Sequence, residues 1–190
     1  LQSRGLGDVY KRQLLELRLI ADVGLLGLPN AGKSTLISNI TNSKSKIGNY
    51  AFTTLDPELG VMENEINKIT IADLPGIIEG ASQGLGLGTK FLKHAYRTKF
   101  LLHLVDGTQT IENALKSFEI IEKELADFHL DFSNQKRWIC ITKTDLIDQE
   151  SLSELIREFQ TKYPSTAIYP ISSLSGDGLD ILSEELFKQI

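Results

Sequence analysis

One stretch near the N-terminus has the residue types and spacing of a phosphate-binding loop. It matches the pattern G-x-x-x-x-G-K-[ST] and consists of Gly27, Leu28, Pro29, Asn30, Ala31, Gly32, Lys33 and Ser34, followed by Thr35. Glycine at both ends allows a close backbone approach that a side chain would block. Successive backbone N–H groups and the positive end of the helix that follows can then hold phosphate oxygens. Lys33 is predicted to reach the β- and γ-phosphates and Ser34 to ligate Mg²⁺, which indicates a nucleoside triphosphate.

A second polar segment predicts which base is bound. It follows an apolar strand and comprises Thr142, Lys143, Thr144 and Asp145. Guanine presents N1–H and N2–H₂ as adjacent donors that one carboxylate can accept, so Asp145 is the predicted specificity residue. The Lys143 stem can cover the plane of the base, whereas Thr142 stands where guanine-binding loops usually have Asn and can make only part of the amide's hydrogen bonds. Near the C-terminus, a backbone N–H for the guanine O6 could come from Ser172, Ser173 or Leu174.

Two further segments are predicted to sense the γ-phosphate. One consists of Asp73, Leu74, Pro75 and Gly76, and the other of Phe52, Thr53, Thr54, Leu55 and Asp56. Asp73 would hold Mg²⁺ through water, the Gly76 N–H would meet the γ-phosphate, and Thr54 would complete the Mg²⁺ shell only while that phosphate is present. Its loss would release both segments, which is an order–disorder switch. The predicted catalytic residues are Lys33, Thr54 and Gly76, and the predicted metal ligands are Ser34, Thr54 and Asp73.

The hydrophobic pattern predicts short strands that alternate with amphipathic helices. Strands are predicted at 17–26, 60–62, 69–72, 100–105, 137–141 and 167–171, and helices at 33–40, 111–125, 152–159 and 179–186. The second and third strands should form a hairpin, the fourth should be buried on both faces, and the stretch 41–58 should be a long loop. Five of the fifteen glycines lie between positions 76 and 88, which favours a mobile switch over a merely flexible loop. The alternation predicts an α/β fold with a mostly parallel six-stranded sheet and helices on both faces.

Composition excludes several classes of protein. The chain has 190 residues, is 41% hydrophobic and carries a net charge of −5, which fits one globular domain and argues against a broad electrostatic grip on DNA or other nucleic acid. A single cysteine, Cys140, excludes an internal disulfide and fits a cytoplasmic location, and the apolar runs are too short to span a membrane. Cys140 is predicted to be a buried packing residue, and His103 is predicted to be a hydrogen-bonded histidine of the core or of a sheet edge. Residues 1–13 resemble the translation of a transposon end used in sequencing adapters, so we expect a non-native or disordered arm there and one folded domain over 14–190.

These motifs, in this order, resemble the Obg family of bacterial GTPases. The resemblance covers residues 14–190 and rests on LRLIADVGLLGLPNAGKSTL, NYAFTTLDPELGV, IADLPGIIEGASQGLGLGTKFLKHAYRT and LLHLVD. It implies a Ras-like G domain that hydrolyses GTP to GDP with Mg²⁺. It also implies that the parent protein takes part in assembly of the large ribosomal subunit, by contact with ribosomal RNA or protein. The flanking domains that carry much of the family's ribosome contact are not expected within this chain.

The residues also predict a slow reaction. In enzymes of this kind water attacks the γ-phosphorus, and Ras-type enzymes orient that water with a Gln just after the motif glycine. Here that position holds Ile77, and the stretch 41–58 contains no arginine, so we expect the isolated domain to depend on a partner or an ion for acceleration. Asn30 either helps to bind K⁺ against the nucleotide phosphates or only stabilises its own turn.

Two other functions remain open on the sequence alone. A guanine-nucleotide sensor with negligible turnover would use the same pocket, and Ile77 favours it, whereas Lys33, Ser34 and Asp73 keep hydrolysis feasible. A phosphate-loop ATPase or kinase would not need the Asp145 carboxylate. The basic residues between positions 90 and 99 are interpreted as a solvated helix face rather than as a contact with ribosomal RNA.

Overall fold

The computed structural model describes residues 21–41, 46–47, 58–74, 92, 94–127, 131–132 and 135–190. Their strands are β1 (Val23–Leu26), β2 (Lys46–Ile47), β3 (Glu58–Glu63), β4 (Lys68–Asp73), β5 (Phe100–Asp106), β6 (Lys136–Thr142) and β7 (Ile168–Pro170). Their helices are α1 (Lys33–Ile40), α2 (Ile111–Asp127), α3 (Gln149–Lys162) and α4 (Leu179–Gln189), with a 3₁₀ turn at Thr144–Leu146 and a further helical turn at 94–96. The predicted arm at 1–13 lies outside the described residues.

The strands form one sheet in the order β2-β3-β4-β1-β5-β6-β7. Neighbouring strands from β4 to β7 are parallel, whereas β3 is antiparallel to both β2 and β4. The predicted hairpin is confirmed, and its turn is held by Asn64, whose Oδ1 accepts hydrogen bonds from the backbone N–H groups of Ile66 at 2.9 Å and Asn67 at 2.6 Å.

Alternating side chains of the parallel strands separate two hydrophobic layers. On β5, Phe100, Leu102 and Leu104 pack in the layer that contains α1 and α4, whereas Leu101 and Val105 point to the opposite layer with α2 and α3. β5 is buried from Phe100 through Val105, as its continuous apolar run predicted. The predicted α/β class, with helices on both faces of a mostly parallel sheet, is confirmed. None of the helices in the described part of the chain combines the length and apolar character needed to cross a membrane.

The stretch 41–58 is not a loop throughout, which corrects the prediction. Lys46 and Ile47 pair antiparallel with Glu58 and Leu59, so β2 adds a short seventh strand at the edge of the six that were predicted. Two residues are too few to give a hydrophobic period, and only the backbone pairing with β3 defines this strand. β1 starts at Val23, so residues 21 and 22 are not part of the strand, contrary to the prediction, and residues 17–20 of the predicted strand lie outside the described residues.

The topology brings the ends of five strands to one edge of the sheet. β4, β1, β5, β6 and β7 are parallel, so the segments that follow their last residues gather there. β1 leads into the predicted phosphate loop, β4 ends at Asp73, β5 ends at Asp106, and β6 ends at Thr142. The sheet therefore positions side chains from four distant parts of the sequence along a single edge.

Candidate nucleotide-binding site

The predicted phosphate loop joins β1 to α1 through backbone angles that its glycines permit. Gly32 has φ +92° and is the N-cap of α1 with no side-chain cap, so the leading N–H groups of the helix are left for a ligand. Gly27 lies so close to β5 that a Cβ there would be 2.8 Å from the Leu104 carbonyl oxygen. Asn30 has φ +66°, a conformation that asparagine adopts more readily than most residues. The loop therefore has the geometry that its motif predicts.

The Lys33 side chain lies against the first two residues of this loop. Its Nζ donates hydrogen bonds to the Gly27 carbonyl at 2.8 Å and to the Leu28 carbonyl at 3.2 Å. Burial lowers the pKa of Lys33, and the Asp73 carboxylate partly opposes this shift. A partly desolvated ammonium attracts an anion more strongly than one in bulk water, so the loop holds a cation suited to phosphate.

Ser34 and Asp73, which were predicted to share a metal ion, lie side by side. Ser34 Oγ donates to Asp73 Oδ2 at 3.3 Å, and Asp73 is only 7% exposed. The other carboxylate oxygen, Oδ1, is buried and has no hydrogen-bond partner among the described residues. Burial raises the pKa of Asp73, although Lys33 and Ser34 act in the opposite direction. A hydroxyl beside a desolvated carboxylate oxygen is the oxygen donor set that Mg²⁺ prefers, so the two residues fit the ion.

We expect the Asp73→Asn variant to remove a pH dependence of folding stability. Because its pKa is raised, folded Asp73 holds its proton more tightly than the unfolded chain does. The free energy of unfolding should therefore fall as pH rises from the ordinary value of 3.8 through the raised one. The variant should lack this fall and be more stable than the wild type at neutral pH, by up to about 2 kcal/mol. Urea unfolding at several pH values without nucleotide measures this, with the exposed Asp127→Asn as control. A variant less stable than wild type at neutral pH would contradict the prediction.

A cavity of about 200 Å³ lies next to the phosphate loop. Its lining consists of Gly32, Thr35, Thr142, Lys143, Asp145, Leu146, Ser173 and Leu174. The Asp145 carboxylate is exposed at this cavity, and its Oδ1 accepts a hydrogen bond from Ser172 Oγ at 2.5 Å. The cavity therefore combines apolar walls with one oriented carboxylate, the arrangement predicted for guanine.

Ser172 acts through its hydroxyl and not through its backbone N–H. The N–H donates to the Asp177 carbonyl at 2.9 Å, so it is not available for the guanine O6, and the prediction is corrected for this residue. Its Oγ is buried, donates to Asp145, and accepts from the N–H groups of Ser175 at 3.0 Å and Leu174 at 3.3 Å. Sequence reasoning missed this role because nothing in the motif distinguishes the hydroxyl of Ser172 from that of Ser173.

Thr142, the last residue of β6, connects the phosphate loop to β5. Its Oγ1 lies 2.9 Å from the Ala31 carbonyl and 3.1 Å from the Val105 carbonyl, and the residue is 1% exposed. A hydroxyl has one proton to share between these two acceptors, which is the shortfall expected when Thr replaces Asn. The connection between the loops is nevertheless made.

Another part of the predicted site is not described. The described part of the predicted site lies along the carboxyl edge of the sheet and comprises residues 27–35, Asp73, Leu74, 142–145 and 172–174. The two segments predicted to sense the γ-phosphate lie mostly outside the described residues, as do the other glycines of the predicted mobile switch. The residues concerned are Phe52, Thr53, Thr54, Leu55, Asp56, Pro75, Gly76 and Ile77. Their roles remain predictions.

His103 and Cys140 are buried, as predicted. His103 is 1% exposed and stacks on Phe118, and burial lowers its pKa although Glu122 acts in the opposite direction. Burial raises the pKa of the Cys140 thiol to about 12, so it is not a nucleophile at neutral pH.

The sequence matches a family model described as 50S ribosome-binding GTPase over residues 22–143. The chain therefore belongs to this family of GTPases. It is similar to GTPase Obg of Pelagibacter ubique (42% identical, covering 93% of this chain and 53% of the relative) and to GTPase Obg of Aquifex aeolicus (46% identical, covering 93% and 52%). The predicted resemblance to Obg is confirmed, and the chain spans about half the length of these relatives.

Solved structures support the Ras-like G-domain fold. Era of Aquifex aeolicus, solved with GDP.AlF4-, is 28% identical with a TM-score of 0.68, over 90% of this chain and 56% of that one. Era solved with MgGDPNP and nucleotides 1506–1542 of 16S ribosomal RNA is 29% identical with a TM-score of 0.67, over 88% and 55%. The G domain of the T. maritima FeoB iron transporter, at 23% identity and a TM-score of 0.63 over 88% and 96%, is alike in fold alone.

Proposed function

We propose that this chain binds GTP with Mg²⁺ and hydrolyses it slowly to GDP and phosphate, as a molecular switch. The proposal rests on one observation: three kinds of ligand group converge at one edge of the sheet. Lys33 lies in the phosphate loop, Ser34 contacts Asp73 at 3.3 Å, and Asp145 lines the adjacent cavity. Together these groups match the phosphates, the metal and the base of one guanine nucleotide.

Each described residue has a distinct task in this proposal. The Lys33 ammonium exchanges the carbonyls of Gly27 and Leu28 for phosphate oxygens and stabilises the negative charge that develops on the transferring group. Mg²⁺, held by Ser34, Asp73 and Thr54, would supply further neutralisation of the β- and γ-phosphates. Asp145 accepts from the guanine N1–H and N2–H₂, and the Ser173 N–H is the candidate donor to O6. The Gly76 N–H is proposed to meet the γ-phosphate.

The expected rate is low because no group is assigned to orient the attacking water. The position after Gly76 holds Ile77, an aliphatic side chain that cannot accept a proton. K⁺ bound near Asn30 could supply positive charge instead. The positive φ of Asn30 gives an independent reason for asparagine at that position, so the two roles need a direct test.

Single-turnover hydrolysis tests the proposal. The purified chain should release phosphate from GTP above the enzyme-free blank, at a rate constant on the order of 10⁻⁴ to 10⁻³ s⁻¹, as for a G domain without an arginine finger. GTP should outcompete ATP, which would dispose of the ATPase or kinase alternative. Faster phosphate release in K⁺ than in Na⁺ would support a K⁺ site near Asn30. Equal rates in the two salts would mean that Asn30 only stabilises its own turn. No release above the blank, with GTP still bound, would leave only the nucleotide sensor.

We also propose that the protein acts on the large ribosomal subunit, in the cytoplasm. The proposal is supported by the family's description as 50S ribosome-binding and by the similarity to Obg. Co-sedimentation of the purified chain with isolated subunits, in GDP and in a non-hydrolysable GTP analogue, tests it. We expect the chain to bind large subunits in the presence of the GTP analogue but not of GDP. If it binds with neither nucleotide, this chain does not itself contact the ribosome.

A further inference from the structure

An ion pair at the end of β5 holds the lysine of the base-binding segment. Lys143 Nζ lies 2.6 Å from Asp106 Oδ2, and the two side chains are 32% and 14% exposed. The other carboxylate oxygen, Oδ1, accepts hydrogen bonds from Thr108 N–H at 3.0 Å and from Thr108 Oγ1 at 2.7 Å. Burial alone would raise the pKa of Asp106, but the hydrogen bonds from Lys143 and Thr108 outweigh it and hold the pKa below its usual value. The carboxylate is therefore charged and fixed in orientation.

The backbone supports this pairing. Asp106 is aligned with Thr142 in the parallel register of β5 and β6, and Gly107 N–H donates to the Thr142 carbonyl at 3.0 Å. A Cβ at Gly107 would lie 2.8 Å from that carbonyl oxygen, so the close approach needs glycine. Lys143 has φ +60°, a left-handed conformation that ends the strand. Strand register, close approach and turn together bring the lysine to Asp106.

We propose that Asp106 is a positioning residue for guanine binding, acting through Lys143. This inference rests on the proposed function, because it assigns the Lys143 stem to the face of the base. Asp106 is not among the residues that line the cavity, whereas Lys143 and Asp145 are. Its effect on the ligand must therefore pass through the lysine.

Two physical effects give Asp106 this role. A free lysine side chain has many rotamers, and ordering it during binding costs conformational entropy. The ion pair orders the side chain before the ligand binds. In addition, Lys143 and Asp145 line the same cavity, and an ammonium released from Asp106 could pair with Asp145 and occupy the oxygens that guanine needs. Asp106 thus keeps the stem in place and the base-reading carboxylate available.

The Asp106→Asn variant should bind GDP and GTP about tenfold more weakly, with equal losses for both nucleotides. The hydrolysis rate constant of bound GTP should stay unchanged, because Asp106 lies in the base half of the site. Isothermal titration calorimetry and single-turnover assays on the whole chain measure the two quantities. Thr108→Ala is the matched control. It removes the hydroxyl hydrogen bond to Asp106 Oδ1 but keeps the hydrogen bond from the Thr108 N–H and the ion pair with Lys143, so its affinity should stay close to that of the wild type.

A double-mutant cycle separates positioning from a structural role. In the Lys143→Met background, which keeps the apolar stem but not the ammonium, Asp106→Asn should cause no further loss of affinity. An equal loss in both backgrounds, or no loss in either, would overturn the proposal. If Asp106→Asn does not fold, Asp106→Glu retains the charge and enters the same cycle, with a partial loss expected. A wild-type chain that binds no guanine nucleotide would instead refute the proposed function.

Discussion

The Asp145→Asn variant is expected to bind xanthine nucleotides in preference to guanine nucleotides. The variant amide offers one acceptor and one donor, so its NH₂ group would face the guanine N2–H₂ donor to donor, whereas xanthine has a carbonyl oxygen there. Two hydrogen bonds to a charged group, each about 1.5–3 kcal/mol, are at stake, so guanine affinity should fall by about 10² to 10⁴. Ser172 Oγ, at 2.5 Å from Asp145 Oδ1, can donate to the amide oxygen as well, so the loop should be preserved.

Competition binding of GDP and XDP to both proteins measures this exchange. Asp127→Asn, an exposed carboxylate at the end of α2, controls for the loss of one negative charge and should leave the preference for guanine intact. Unchanged selectivity in the Asp145 variant would mean that the base is recognised by another group.

The Lys33→Met variant should lose at least 10² to 10³ in the rate constant of GTP hydrolysis, the scale observed when a preorganised charge stabiliser is removed from an active site. Methionine keeps an apolar stem of similar length but has no donor for the phosphate oxygens. Because Lys33 is predicted to contact the β- and γ-phosphates, affinity for GTP should fall more than affinity for GDP.

Single-turnover hydrolysis at saturating GTP, together with titrations of both nucleotides, measures these effects. The control is Lys68→Met, which removes one positive charge from an exposed lysine that pairs with Glu63 at 2.8 Å, far from the phosphate loop in the hairpin. A Lys33 variant that hydrolyses GTP at the wild-type rate would show that the charge on the γ-phosphate is stabilised elsewhere.

The features that could be predicted from the sequence are those with local causes. The phosphate loop depends on glycines at fixed spacing, and α1 has the predicted bounds because its apolar positions and the preceding glycine are adjacent in the chain. β5 could be predicted because its apolar run from Phe100 to Val105 is interrupted only by His103, which is the pattern of a strand buried on both faces. The Asn64 turn is likewise a property of four consecutive residues.

The features that could not be predicted depend on contacts between distant residues. Ser172 reaches Asp145 across 27 positions, and Lys143 reaches Asp106 across 37. A serine hydroxyl or a strand-terminal aspartate has no local signature of such a role, since the contact exists only after the sheet has aligned the strand ends. β2 was missed for the same reason, because its pairing partner defines it.

The Thr142 hydroxyl makes the two halves of the pocket mechanically dependent on each other. Its Oγ1 lies within hydrogen-bond distance of carbonyls in both the loop that follows β1 and the neighbouring strand β5. Substitutions that adapt the base-binding segment around Thr142 to a different heterocycle would therefore also disturb the phosphate loop. A substitution at position 142 should therefore lower the affinity for inorganic tripolyphosphate, although this ligand has no base for the protein to recognise.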